Sequence, residues 1–135
     1  MASRPKPQRL GHVVLNVRDL QASVKFYTEI VGLEVSDYIE DQMAFLRCST
    51  DHHDLALAQI PRRDPLYDAT YAPGRPGLEH FSYQLGSLQE IEEAAKYLQD
   101  KNVDIVRGVG KHGPGENLFL VFKDPDGTIA SFTPR

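Results

Sequence analysis

The stretch Gly11-His12-Val13-Val14-Leu15-Asn16-Val17, followed by Asp19-Leu20 and a helical run to Gly32, returns later in the chain. The second copy is Glu79-His80-Phe81-Ser82-Tyr83-Gln84-Leu85, followed by Ser87-Leu88 and a helical run to Lys101. His12 and His80 occupy the same register of the two copies. Each copy opens on an alternating run, the period of a half-buried strand, and then supplies a capping residue, Asp19 or Ser87, ahead of a helix. The chain therefore reads as one module written twice. If the copies pack about a pseudo-twofold axis, imidazoles from equivalent strands converge on one point, and converging imidazoles are a common way to hold a transition metal.

The remaining segments complete the two modules. In the first, about residues 9–60, Gly32 ends the helix that starts near Leu20 and runs to Val31. Leu33 to Ile39, Gln42 to Arg47 and Asp54 to Ile60 then read as strands, separated by the turn Glu40-Asp41 and the polar stretch Cys48 to His53. A linker over 61–77, rich in Pro, Arg, Asp and Tyr, leads to the second module, about 78–134. There Leu78 to Leu85 reads as a strand, and Ile91, Ala94, Ala95 and Leu98 recur at helical spacing. Val103 to Val106, Leu118 to Phe122 and Thr128 to Thr133 read as strands, the last two around the turn Asp124-Pro125-Asp126-Gly127, and the glycine-rich Val109 to Glu116 as a loop. The expected fold is α+β, two tandem βαβββ modules, within a single domain spanning 1–135.

Composition bounds the function classes. The chain has 135 residues, 41% of them apolar, enough for a sizeable core without staples. Cys48 is the only cysteine, so no internal disulfide and no cysteine-based zinc cage can form, and it reads as a small buried or half-buried residue rather than a nucleophile. A net charge of -4 gives no electrostatic reason to expect nucleic acid. No apolar run reaches membrane-spanning length, and the first nine residues carry no apolar signal segment, so a soluble cytoplasmic protein is expected. His52 and His53 follow Thr50 and Asp51 and read as solvent-exposed turn residues.

The strand histidines His12 and His80, the phrase His53-Asp54-Leu55-Ala56-Leu57, the loop Lys111-His112-Gly113-Pro114-Gly115 and the turn Asp124-Pro125-Asp126-Gly127 together resemble the vicinal oxygen chelate superfamily. Its members include glyoxalase I, bleomycin resistance proteins and extradiol ring-cleaving dioxygenases. The resemblance covers about Gln8 to Pro134 and implies a cupped mixed sheet, usually with a metal in the cup. The second half looks most like the catalytic module of catechol-type extradiol dioxygenases. The resemblance also implies a homodimer, a small aromatic or diol-like molecule as the ligand, and no nucleic acid or membrane partner.

Carried over residue by residue, the family's metal ligands are His12, His80 and a glutamate in the last strand, holding a divalent ion: Fe(II) or Mn(II), or Zn(II). Here the sequence departs from the pattern. The position seven residues after Asp124 is Ser131, and no acid follows Asp126. A neutral hydroxyl supplies neither the charge nor the short oxygen bond that a carboxylate offers such an ion. Asp54 is the only acid in the fourth strand, near its start. His112 matches the loop histidine that contacts bound substrate, a catalytic candidate, whereas the family's tyrosine ten residues before the glutamate is replaced by Val121. Asp54, Tyr83 and Val121 are the remaining pocket candidates.

Two readings follow. In the first, His12 and His80 hold a divalent metal, with Ser131, Asp54 or water completing its shell, and His112 steers proton transfer on a catechol-type diol. In the second, a metal-free cup captures a small molecule without converting it, as bleomycin resistance proteins do. A degenerate subunit working with an active homologue is a third, and Asp64 or Asp68 from a neighbouring chain is a further candidate for the missing carboxylate.

Overall fold

A computed structural model describes residues 4, 6, 8–61, 78, 80–112 and 117–134, with backbone alone for 109–112 and 117–119. Asp64, Asp68 and most of the linker lie outside the described residues. The element order is β1 (Val13–Val17), α1 (Leu20–Glu29), β2 (Glu34–Ile39), β3 (Met43–Arg47), β4 (Leu55–Gln59), β5 (His80–Leu85), α2 (Leu88–Asp100), β6 (Ile105–His112), β7 (Asn117–Lys123) and β8 (Ile129–Pro134). Contacts divide the chain into two compact units, 1–62 and 63–135.

Each unit holds one four-stranded mixed sheet, ordered β1-β4-β3-β2 in the first and β5-β8-β7-β6 in the second. In both, the first strand runs parallel to the last while the other neighbours are antiparallel. The topological identity is the three-dimensional counterpart of the sequence repeat.

Local chemistry sets the helix ends. Asp19 adopts extended backbone and its Oδ1 accepts the Ala22 N–H at 3.1 Å, while Ser87 Oγ accepts the Glu90 N–H at 3.2 Å. Such side-chain oxygens satisfy amides that have no partner inside the helix. Gly32, at φ +96°, turns the chain out of α1 through a conformation that side chains resist, and the Leu33 N–H returns to the Tyr27 carbonyl at 2.9 Å. Gln59 ties the end of β4 to the start of α1: its Oε1 accepts the Leu20 N–H, and its Nε2 donates to the Arg18 carbonyl at 2.6 Å.

Burial follows periodicity. Leu20, Val24 and Tyr27 of α1 pack with Leu15, Val17, Leu46, Leu55 and Leu57 in the first unit. Ile91 and Leu98 of α2 meet a sheet face carrying Leu120, Phe122, Ala130 and Phe132. One face of each sheet is thus consumed by its helix and the other is left for other work.

Two readings are corrected. Val109 to His112 do not form a loop: β6 continues to His112, pairing Gly110 with Phe119 and His112 with Asn117. A register shift between Arg107 and Gly110 takes up Gly108, and glycine weakens a strand without preventing its pairing. Cys48 is exposed rather than buried, because it follows β3 in the surface turn that the Asp54 carboxylate closes.

Candidate functional site

The helix-free face of the first sheet collects the histidines of the first unit. Leu15 and Val17 of β1 are buried, and Val14 and Asn16 are exposed. His12 lies just before β1 and is exposed, in the alternate register shared by Val14 and Asn16. Across the sheet, Val14 stands beside Ala56, Ala56 beside Phe45, and Phe45 beside Asp37, so these residues form one row on that face.

The segment between β3 and β4 folds over this row. The His53 ring lies 4.6 Å from that of His12 and 4.9 Å from that of Phe45, centroid to centroid. His52 sits 5.6 Å from Phe45, with its Nε2 3.5 Å from Asp37 Oδ2, and the Nδ1 atoms of His52 and His53 are 2.9 Å apart. The reading of these two as solvent-exposed turn residues holds for His52 alone; His53 is half-buried. The parallel pairing of β1 with β4 explains the convergence, since it sets the residues preceding each strand side by side. The His52-His53 pair directly ahead of a strand was the available signal, but strand pairing lies outside what a local pattern reports.

Asp54 holds that segment in place. Its carboxylate accepts the Cys48 N–H at 2.8 Å, the Ser49 N–H at 3.1 Å and the Ser49 hydroxyl at 2.8 Å. Arg9 pairs with Asp51 in the same segment, tying down the chain that leads to His12. Burial works against the Asp54 carboxylate, but the Cys48 and Ser49 hydrogen bonds outweigh it and hold its pKa below the ordinary value. Partial burial, and then the Asp54 charge, push the Cys48 thiol up, which disfavours the thiolate. Desolvation first, then the neighbouring His12 and His52, hold His53 below the usual histidine range, with Asp54 pulling the other way. His53 is therefore a neutral imidazole at pH 7, able to accept a proton.

In the second unit His80, Ser82 and Gln84 of β5 are exposed, whereas Phe81, Tyr83 and Leu85 are half-buried. Ser131 stands beside Ser82 on one side and Val121 on the other, so the three share the helix-free face with His80. Ser82 Oγ lies 3.4 Å from the Ser131 carbonyl and 3.4 Å from Thr133 Oγ1. Ser131 is only 4% exposed. Tyr83 stands beside Phe132 on the opposite face, away from His80. His112 ends β6 and its side chain lies outside the described residues.

His12 and His80 thus hold equivalent places, each at the entry to the first strand of its sheet. The donor chemistry does not match a two-histidine, one-carboxylate iron set: Ser131 offers a hydroxyl, and Asp54 is spent on three donor groups of Cys48 and Ser49. Among the described residues, no three His, Cys, Asp or Glu side chains gather as a metal-holding group. Also among them, no helix is long and apolar enough to cross a membrane.

A family model described as the Glyoxalase/Bleomycin resistance protein/Dioxygenase superfamily matches residues 9–132. The chain is 28% identical over 132 residues to metapyrocatechase 2 of Cupriavidus necator, covering 96% of this chain and 37% of that protein. It is 30% identical over 133 residues to 3-methylcatechol 2,3-dioxygenase of Pseudomonas putida, covering 93% and 41%. The chain thus spans about two fifths of the length of these relatives. The crystal structure of lactoylglutathione lyase from Agrobacterium tumefaciens superposes with a TM-score of 0.73 at 19% identity, covering 96% of each chain.

Proposed function

Because the chain belongs to the glyoxalase/bleomycin resistance protein/dioxygenase superfamily, we propose that it binds a small aromatic or diol-like molecule at its histidine-bearing sheet faces and does not cleave it. The observation that carries this reading is Ser131, a nearly buried hydroxyl where the dioxygenase pattern requires a metal-binding carboxylate.

In this reading the ligand ring stacks on the His53 ring, which stands edge-on to Phe45 at 61°. In the first unit the His12 imidazole hydrogen-bonds the ligand's hydroxyls; in the second, His80 plays that part on the face that carries Ser131 and Val121. Neutral His53 offers a ring nitrogen that can accept a hydrogen bond from a ligand hydroxyl. By the family resemblance, His112 contacts the bound molecule. Two copies pair as a homodimer. The protein works in the cytoplasm.

A second reading, ring cleavage at a divalent metal, is favoured by the relatives, one of which is named as a 3-methylcatechol dioxygenase. The test sets the two against each other. Purified protein, untreated and loaded anaerobically with Fe(II), is given 3-methylcatechol, and binding is read by equilibrium dialysis and oxygen consumption by electrode. Saturable binding without oxygen uptake, weakened at least tenfold by His12→Ala and His80→Ala, supports the binding reading. Oxygen uptake with ring-opened product overturns it, and absence of binding refutes both.

A further inference from the structure

We propose that His52 and His53 form a two-imidazole site for a divalent ion of tetragonal preference, Cu(II) or Ni(II), beside His12. Three observations carry it. The Nδ1 atoms of the two rings lie 2.9 Å apart, and the ring planes are inclined at 86°. Two nitrogens bound at about 2.0–2.1 Å to one ion at a right angle are separated by about 2.9 Å, whereas tetrahedral donors stand about 3.3 Å apart. The spacing therefore suits the adjacent positions of a square or tetragonal ion rather than tetrahedral zinc.

The second observation is Asp37. Its Oδ2 lies 3.5 Å from His52 Nε2, on the side of the ring away from His53. A carboxylate there favours the proton on Nε2 and leaves the Nδ1 lone pair for an ion, the usual arrangement behind a ligating histidine. Asp37 stands beside Phe45 in the sheet, so this partner is fixed by strand pairing and not by the loop.

The third is rigidity. Both histidines follow the Cys48-Ser49 turn closed by the Asp54 carboxylate and directly precede Asp54, which leads into β4, while Phe45 lies against both rings. His52 remains exposed, which leaves the other coordination positions to water. Imidazole donors place Cu(II) highest among the common divalent ions. The site does not depend on the ligand-binding reading.

The experiment titrates the full chain with Cu(II) in competition with glycine and records the electron paramagnetic resonance spectrum. One Cu(II) per chain with hyperfine structure from two imidazole nitrogens is expected. His52→Ala and His53→Ala should each lower affinity at least tenfold, and Asp37→Asn about tenfold. His80→Ala should leave it within twofold. Because His52 is exposed, His52→Gln serves as a second variant whose fold is checked by circular dichroism. Affinity unchanged in both His52 variants and in His53→Ala, or lost in the His80 variant instead, overturns the proposal.

Discussion

Replacing Asp54 by alanine tests whether that carboxylate is an anchor of the segment over the histidines or an open ligand. In the structure it accepts from three donor groups: the Cys48 amide, the Ser49 amide and the Ser49 hydroxyl. These bonds lie near the surface, so each is worth about 0.5–1 kcal/mol net, the lower part of the range for hydrogen bonds. The sum is about 1.5–3 kcal/mol. With a urea dependence of about 1–3 kcal/mol per molar, the unfolding midpoint should fall by about 1 M. The structural consequence is as specific as the energetic one. Without Asp54 the 48–53 segment loses its closure, so the His53 ring leaves its place against His12 and Phe45, and its pKa rises toward the ordinary value of 6.5. Urea unfolding followed by circular dichroism, with the histidine ring protons titrated by NMR, measures both effects. A loss below about 0.5 kcal/mol, or an unchanged His53 titration, refutes the anchoring role.

Other substitutions probe different links. Ser131→Glu places a carboxylate at a position only 4% exposed, which should cost about 2 kcal/mol or more in metal-free protein. A loss under about 0.5 kcal/mol by urea unfolding would contradict the burial of that position. Ile91→Ala removes a fully buried side chain from α2 and should cost about 2–5 kcal/mol by urea unfolding, and a loss under 1 kcal/mol would contradict the packing. Acid sensitivity follows from Asp54, whose folded-state pKa lies below its unfolded value of 3.8. Its contribution is complete above about pH 4 and disappears as pH falls through the folded value, so wild type should lose more stability between pH 4 and 2 than Asp54→Ala. Equal slopes in that window would remove Asp54 from the acid response.

Much of the architecture is legible in the residue order because it depends on local chemistry. Alternation in Gly11 to Val17 and in its second copy marks strands, Asp19 and Ser87 mark helix starts, and Gly32 marks a helix end, each through backbone angles or amide satisfaction within a few residues. The absence of an acid beyond Asp126 is likewise a property of the sequence alone, and it separates this chain from the dioxygenase pattern before any coordinate is known.

Other features required strand pairing. His53 meets His12 across more than forty positions because β1 and β4 run parallel, and Asp37 reaches His52 because β2 and β3 pair at Phe45. Tyr83 falls on the face away from His80 because successive side chains of a strand alternate, a consequence that matters only once the helix has claimed one side. β6 outlasts its glycines because β7 supplies the hydrogen bonds that local propensity does not. Residue types and their periods determined the repeat, the caps and the missing carboxylate. Long-range hydrogen bonding and the choice of buried face decided which side chains stand together, because those depend on partners that no local stretch of sequence contains.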